Sequence, residues 1–193
     1  MIPTERFSQV EVSSTAELAA WLDEHHGQRE SVWLVTYKKA VPDRYLSREE
    51  VLDLLVAYGW IDGIRRQLDD ERTMQLIGPR RTKPWAQTYK ERAERLIATG
   101  KMRAAGMVGV EAAKASGDWD AMNDVDALIV PPDLVAELES RPPARKNFTG
   151  FPPSTRRNIL RWLAAARTDG TRQRRLCRIA EDAAQGIRTP SNG

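Results

Sequence analysis

The residues best suited to chemistry lie in one short stretch of the chain. It begins at Tyr58-Gly59-Trp60-Ile61-Asp62-Gly63 and runs to the basic turn Pro79-Arg80-Arg81. A carboxylate can act as a general base, and the planar fork of a guanidinium matches the oxygens of a carboxylate or phosphate in pairs. An aromatic ring nearby can supply an apolar wall to the same site. The stretch therefore predicts a small polar cleft, with the candidate residues Trp60, Asp62, Arg66, Asp69, Arg72, Arg80, Arg81 and Trp85.

Three interpretations of these charges stay open. The first is a salt-bridge network that pins a hairpin to the helices. The second is a cleft in which guanidinium groups hold a small anion or an acidic protein segment. The third is a protein-contact surface. A buried charge without a partner costs several kcal/mol, so we expect Asp62 to pair with Arg72, Arg80 or Arg81.

An enzyme and a nucleic-acid-binding protein are the alternatives from other functional classes. In the enzyme, Asp62 is the general base and the arginines stabilise charge on a small polar metabolite. The sequence holds no glycine-rich phosphate loop, nucleophile elbow or zinc-protease motif that completes such a mechanism. Residues 65–103 contain 11 Lys and Arg against 5 Asp and Glu, with Trp85 and Tyr89 among them. Basic groups interleaved with aromatic rings are typical of nucleic-acid contacts.

The histidines and the cysteine do not favour a metal or another cofactor. Cys177 is the only cysteine, so no disulfide can form within one chain. His25 and His26 are the only histidines, and neighbours in sequence point to different sides of a helix. We expect neither a structural zinc nor any other cofactor.

The composition is that of a globular protein. The chain has 193 residues, of which 41% are hydrophobic and 30% charged. No apolar run approaches the roughly 20 residues that span a bilayer. Residues 1–7 lack the basic start and apolar centre of a secretory signal. We therefore expect a cytoplasmic location and no membrane span.

The charges divide the chain unequally. Residues 1–140 hold 18 Lys and Arg against 24 Asp and Glu, whereas residues 141–193 hold 12 against 3. The prolines in Arg141-Pro142-Pro143 mark a boundary between these parts. We expect an acidic body over 1–140 and a basic helical module over 141–193. Such a module attracts nucleic acid, an anionic ligand or the acidic body itself.

Local patterns in the first part of the chain predict helices around a small sheet. Capping boxes at Ser14 and Ser47 start two helices, the first over residues 15–25, and Gly59 ends the second. Residues 31–37 are rich in β-branched and aromatic side chains, which is typical of a buried strand. The sheet is predicted to extend from residue 31 to residue 77, which gives the α+β class.

A β-hairpin is predicted directly after Gly59. Asp62, Ile64, Arg66 and Leu68 alternate onto one face of its first strand, and residues 73–77 form the returning strand after an acidic turn. The pattern places charged side chains on the same half-buried face as apolar ones.

Helices account for most of the remaining chain. Helical patterns cover residues 88–99, 106–116 and 133–139, and residues 118–132 read as an irregular connection. Two helices follow in the basic module, one after Pro152-Pro153 and one that Thr171 could cap.

The same motifs resemble a known family. The run Tyr58-Gly59-Trp60-Ile61-Asp62-Gly63, the turn Pro79-Arg80-Arg81 and the pattern Arg161-Trp162 with Thr171-Arg172 are similar to those of the YdeI/OmpD-associated, bacteriocin-protection (OmdA-type) family. The resemblance covers roughly residues 31–185. It implies a small bacterial cytoplasmic protein linked to tolerance of antimicrobial peptides or envelope stress. It carries over no catalytic residue.

Overall fold

The predicted α+β class is confirmed. The computed structural model describes residues 6–81 and 84–189, and within them it contains one four-stranded mixed sheet and nine α-helices. The chain forms two compact units that divide after Asp120. The boundary expected between residues 140 and 141 lies within the second unit. The helix Pro132–Glu139, which precedes that point, packs against the helices Ala144–Gly150 and Asp169–Ala184, which follow it.

The first unit contains the whole sheet. The elements are β1 (Gln9–Glu11), α1 (Thr15–His25), β2 (Val32–Tyr37), α2 (Arg48–Ala57), β3 (Trp60–Gln67), β4 (Arg72–Pro79), α3 (Gln87–Ala98) and α4 (Ala104–Ser116). The strand order is β1-β2-β4-β3, with β1 parallel to β2 and the other neighbours antiparallel. The short edge strand β1 was not predicted.

Local capping chemistry explains where the helices start and stop. The side chain of Ser14 accepts a hydrogen bond from the backbone of Glu17, and α1 has the predicted bounds. Ser47 and Glu50 form a complete capping box at the start of α2. Gly59 follows α2 with φ of +75°, a conformation that glycine adopts without strain. Both predicted helix starts and the glycine stop are therefore confirmed.

The sheet has a hydrophobic core on each face. Val32, Leu34 and Ile77 pack with the helices, while Trp33 and Met74 belong to a separate cluster on the opposite face. Cross-strand register explains this division, because Val32 lies opposite Ile77 and alternate residues point to opposite faces. The first face is covered by helices, and the second is the face on which the cleft described below opens.

A β-bulge interrupts the predicted alternation along β3. Asp62 lies opposite Ile77, but Arg65 lies opposite Gln75. Three steps along β3 therefore match two steps along β4, so one extra residue is inserted next to Gly63. Beyond this point the side chains of β3 still alternate, but each points to the face opposite the one that an uninterrupted strand would give it.

The prediction that Asp62, Ile64, Arg66 and Leu68 share one face is wrong for this reason. Asp62 lies on the helix-covered face, whereas Arg66 is opposite Met74 on the other face. Leu68 packs against the same cluster as Met74. The bulge separates Asp62 from Arg66 by face as well as by distance along the strand.

The second unit is helical. Its elements are α5 (Asn123–Asp126), α6 (Pro132–Glu139), α7 (Ala144–Gly150), α8 (Pro153–Ala164) and α9 (Asp169–Ala184). The basic module was predicted to contain two helices, so α7 was missed, as was the short α5 in the segment expected to be irregular. The last helix is capped by Thr168 rather than Thr171, since the Thr168 hydroxyl accepts a hydrogen bond from the Thr171 backbone.

A single core holds these helices together. Leu134 and Leu138 of α6 are fully buried with Phe148 of α7, and Ile159 and Ile179 join them from α8 and α9. Across the described part of the chain, none of the helices has the length and apolar character that a membrane span needs.

Candidate functional site

A cleft of about 750 Å³ lies at one end of the sheet in the first unit. Its floor is formed by Ile61 and Gly63 of β3 and by Leu76 and Gly78 of β4. Leu76 packs on the core cluster that faces away from the helices, so the floor belongs to that side of the sheet. Phe7, which precedes β1, lines one wall and packs on the same cluster.

Four arginines surround this floor. Arg6 precedes β1 and Arg29 precedes β2, whereas Arg80 and Arg81 follow β4. None of the four forms an ion pair with a carboxylate of the residues that the structure describes. Several guanidinium groups therefore border one cavity, and the carboxylates among its described lining residues, Glu30 and Asp62, form no ion pair with them.

The guanidinium group of Arg80 is held in place without being neutralised. Its carbon Cζ lies 3.9 Å from the ring centre of Trp85 and 5.4 Å from that of Tyr89. Nη2 donates to the carbonyl oxygen of Pro84 at 3.2 Å. Nε and Nη1 are buried and have no hydrogen-bond partner among residues 6–81 and 84–189. Burial lowers the pKa of Arg80, since desolvation disfavours the charged form.

Asp62 binds groups other than the predicted arginines. Its Oδ1 accepts a hydrogen bond from the hydroxyl of Tyr89, and its Oδ2 accepts one from Nε2 of Gln75 at 2.9 Å. Nη2 of Arg48 lies 4.0 Å from Oδ2. The carboxylate side chain is only 11% exposed. The carboxylate whose charge acts on Arg80 is that of Asp118, which raises the pKa of Arg80 against the effect of burial.

The phenol of Tyr89 is fixed in its neutral, donating form. Burial raises the pKa of Tyr89, and the hydrogen bond to Asp62 raises it further. A neutral phenol can donate one hydrogen bond, and the acceptor here is the carboxylate of Asp62. The pair forms a rigid support behind the cleft, next to the ring on which Arg80 lies.

The structure separates the eight predicted site residues into groups. Asp62, Arg80 and Arg81 line the cleft, and Trp85 lies under Arg80. Trp60 is a core residue, 1% exposed, whose Nε1 donates to the carbonyl oxygen of His26 at 3.1 Å.

The other three predicted site residues lie elsewhere. Arg66 lies over the ring of Trp33, at 5.3 Å from its centre, on the opposite sheet face from Asp62. Asp69 and Arg72 pair with each other at the far end of the hairpin, with Nε donating to Oδ2 at 2.8 Å. Arg72 also binds Glu11 of β1 at 2.7 Å. At this tip the charges form a local salt-bridge network.

Sequence reasoning missed several residues of the site. Arg6 and Arg29 were not singled out, because each precedes a strand whose place in the sheet decides where it lies. Gln75 was expected only as part of the returning strand. Tyr89 was noted solely as an aromatic residue among basic ones, and its partner Asp62 comes 27 residues earlier in the chain.

The described residues offer no metal centre. No group of three or more His, Cys, Asp or Glu side chains within them is arranged to hold a metal ion. Cys177 is a free cysteine in the second unit.

Comparison with known families gives two matches, one in each unit. Residues 127–186 match OmdA, described as bacteriocin-protection, YdeI or OmpD-associated. Residues 10–109 match a domain of unknown function, DUF8412. The motif around Asp62 falls within the DUF8412 match, and Arg161-Trp162 falls within the OmdA match. No curated protein and no solved structure gives a significant match. The chain therefore belongs to the DUF8412 family, and its second unit is similar to the family described as bacteriocin-protection, YdeI or OmpD-associated.

Proposed function

We propose that this protein is a non-catalytic binding protein whose first unit holds a small anion, or the anionic group of an acidic protein segment, in the cleft above Gly63 and Gly78. The observation that carries the proposal is the set of arginines at the cleft. Arg6, Arg29, Arg80 and Arg81 line it, and none of the four forms an ion pair with a carboxylate of the described residues.

The energetics of a half-buried cation support this role. Desolvation of an ion costs several kcal/mol, and protein scaffolds usually recover that cost with an internal counter-ion. Here the carboxylate of Asp62 accepts hydrogen bonds from Tyr89 and Gln75, and the cation that pairs with it is Arg48 rather than an arginine of the cleft. An incoming carboxylate or phosphate supplies the missing charge, and guanidinium groups bind such oxygens in pairs.

The position of Asp62 gives less support to an enzyme. A general base must come within hydrogen-bond reach of the substrate proton that it removes, so it needs to be accessible to the substrate. Each carboxylate oxygen of Asp62 already accepts a hydrogen bond, and the side chain is 11% exposed. The geometry fits a structural support behind an anion site better than it fits proton abstraction.

The family name suggests the biological setting. The second unit matches a family described as bacteriocin-protection. We propose that anion binding by the first unit serves tolerance of antimicrobial peptides or envelope stress, in the cytoplasm. In this role the cleft senses or sequesters an anionic molecule.

Thermal unfolding in a low-chloride buffer with millimolar inorganic phosphate tests the proposal. A ligand that binds only the folded state at ten times its Kd raises Tm by about 3 °C for a chain of this size. Arg81→Met removes an exposed cleft cation and should reduce the rise. Lys101→Met removes an exposed cation outside the cleft and should leave the rise unchanged. Equal shifts in both variants, or no shift with phosphate, citrate or sulfate, would overturn the proposal.

A further inference from the structure

We infer that the ligand of the cleft is a small anion with one charged group and a compact apolar tail, as in a short aliphatic carboxylate, and that the tail lies in a second cavity against α4. The inference rests on the proposed function and deepens it by naming the chemical class of the ligand. Four observations carry it: two arginines shared by the cavities, an apolar wall, open space in front of Gly109, and the carboxylate of Asp118.

The second cavity has a volume of about 230 Å³ and belongs to the first unit. We call it the α4 groove, and its apolar lining includes Trp85, Val108, Gly109 and Ala112. Arg80 and Arg81 line both the α4 groove and the cleft. The guanidinium of Arg80 lies over the ring of Trp85, which borders the groove. An anion held by these two arginines is therefore within reach of both cavities.

The wall that α4 supplies is apolar and open to solvent. Val108 is 66% exposed, the highest value among the exposed large hydrophobic residues of the described chain. A single exposed hydrophobic residue is normal on a protein surface, but this one borders a cavity that also holds a guanidinium group. The cavity is smaller than the about 300–1,000 Å³ of sites for drug-sized ligands. It therefore fits a tail of a few carbon atoms.

The two glycines of α4 differ in their surroundings. A Cβ added at Gly106 would lie 2.3 Å from the carbonyl oxygen of Ala57, so the packing of α4 on α2 requires a glycine there. A Cβ added at Gly109 would have no described atom within 4 Å. Glycine inside a helix is destabilising relative to alanine, and no packing contact requires it at position 109. The missing side chain keeps the α4 groove open.

The carboxylate of Asp118 favours a tail without a negative charge. Asp118 borders the α4 groove, and its Oδ2 accepts a hydrogen bond from the hydroxyl of Ser116 at 3.1 Å. Like charges that approach each other in a partly desolvated site repel strongly. A second anionic group at the end of the tail would approach Asp118, so the ligand that fits carries its one charged group at the arginines.

Titration of the full nitrogen-15-labelled chain with unbranched carboxylates, from acetate to decanoate, tests the inference in a low-chloride buffer. The backbone amide signal of Gly109 reports on the α4 groove. Each methylene that enters the groove should tighten binding by up to about fourfold, which corresponds to about 0.8 kcal/mol. Hexanoate should therefore bind at least about tenfold more tightly than acetate, and the gain should level off before decanoate because the groove is then full.

Two compounds with the carbon number of hexanoate isolate its single charge. Hexanamide has the same tail but no anionic group, and it should bind at least about tenfold more weakly because it cannot form charge-assisted hydrogen bonds to the arginines. Adipate carries a second carboxylate at the end of the tail, and it should also bind more weakly than hexanoate.

Two variants locate the tail. Gly109→Leu fills the α4 groove without a clash, and it should fold at least as stably as the wild type because leucine is a better helix former. It should reduce the preference for hexanoate over acetate to about twofold or less, since the tail is then excluded. Val108→Asn removes an exposed apolar side chain and should weaken the same preference. Gly150→Leu, at a helical glycine of the second unit that also has open space around it, is the matched control and should keep the full preference.

The outcomes separate the inference from the function beneath it. If acetate and hexanoate bind equally, or if both groove variants keep the full preference, the tail site is wrong while anion binding stands. If hexanamide or adipate binds as tightly as hexanoate, the ligand class is wrong. If no carboxylate or phosphate binds, the proposed function fails together with the inference.

Discussion

The guanidinium carbon of Arg80 lies 3.9 Å from the ring centre of Trp85. Trp85 is 3% exposed and belongs to the main core. A cation over an indole face gains about 0.5–2 kcal/mol, which offsets only part of the cost of burying the charge. The contact thus holds the guanidinium against the core, where Nε and Nη1 are buried without a partner among the described residues and Nη2 donates to the carbonyl oxygen of Pro84.

The first prediction concerns the cost of that charge. Arg80→Met keeps an unbranched side chain over Trp85 but removes the cation and its two unsatisfied N–H groups. Replacing an uncompensated buried ion by an apolar group is often neutral or stabilising. We expect the free energy of unfolding in urea to fall by no more than about 1 kcal/mol, while stabilisation by phosphate disappears.

Trp85→Leu is the contrasting variant. It removes a buried aromatic ring from the main core, and we expect a loss of about 3 kcal/mol. If Arg80→Met costs as much as Trp85→Leu, then Arg80 is a structural residue and the argument from its unpaired charge is wrong.

The second prediction concerns the support behind the cleft. Tyr89→Phe removes the hydroxyl that donates to Asp62, which leaves a largely buried carboxylate with one donor fewer. We expect a loss of about 1–3 kcal/mol in the free energy of unfolding, measured in urea.

A double-mutant cycle with Asp62→Ala, which removes the acceptor, checks the pair directly. The combined variant should lose less stability than the sum of the two single variants, since both remove the same hydrogen bond. Tyr45→Phe, on a ring whose hydroxyl is not seen to bond to any described residue, should change little. Strict additivity in the cycle would show that the two side chains do not interact.

The third prediction is a dependence of stability on pH at the contact between α2 and α3. Burial opposes ionisation of Asp53, but hydrogen bonds from Arg95 and Arg92 outweigh it and lower the pKa of Asp53. Nη2 of Arg95 lies 2.6 Å from Oδ1. A carboxyl whose folded pKa is below its unfolded pKa stabilises the fold above the unfolded value, about 3.9, and loses this as the pH falls.

Asp53→Asn should therefore lower stability at pH 7 by about 1 kcal/mol, a value typical of a partly exposed pair. The difference from the wild type should shrink at pH 3. Asp43→Asn removes an exposed carboxylate of the same unit and serves as the control. A difference that grows on acidification would contradict the assigned direction.

The fourth prediction concerns the floor of the cleft. Gly78→Ala places a methyl group 2.5 Å from Oγ of Ser31 and 3.3 Å from its Cβ. Overpacking of this kind costs about 1–3 kcal/mol. Adding Ser31→Gly to the Gly78→Ala variant removes both Oγ and Cβ of Ser31, and the double variant should regain part of the lost stability. Absence of any rescue in thermal unfolding would mean that the strain arises elsewhere.

Much of the framework could be predicted because its signals are local. The serine caps at Ser14 and Ser47 and the glycine stop at Gly59 each act within one turn of a helix, and all three lie where the sequence placed them. A short strand such as β1 has no comparable signal, since three residues carry almost no periodicity.

The site was harder to predict because it depends on register and on distant pairing. One inserted residue beside Gly63 reversed the face of Arg66, although a glycine inside a strand pattern is itself a sign of a bulge. Arg6 and Arg29 lie at the cleft through the order of strands in the sheet, which local patterns do not encode. Asp69 and Arg72 pair within the hairpin turn and never reach the cleft.

The central claim is that the arginines of the cleft bind an anion. The most direct measurement is a titration of the full chain with inorganic phosphate, followed through the side-chain Nε–H resonances of its arginines. We predict a saturable shift of the Arg80 signal together with those of Arg29 and Arg81, and no shift of the signal from Arg72 at the hairpin tip. Unchanged cleft signals, or a shift confined to Arg72, would contradict the account.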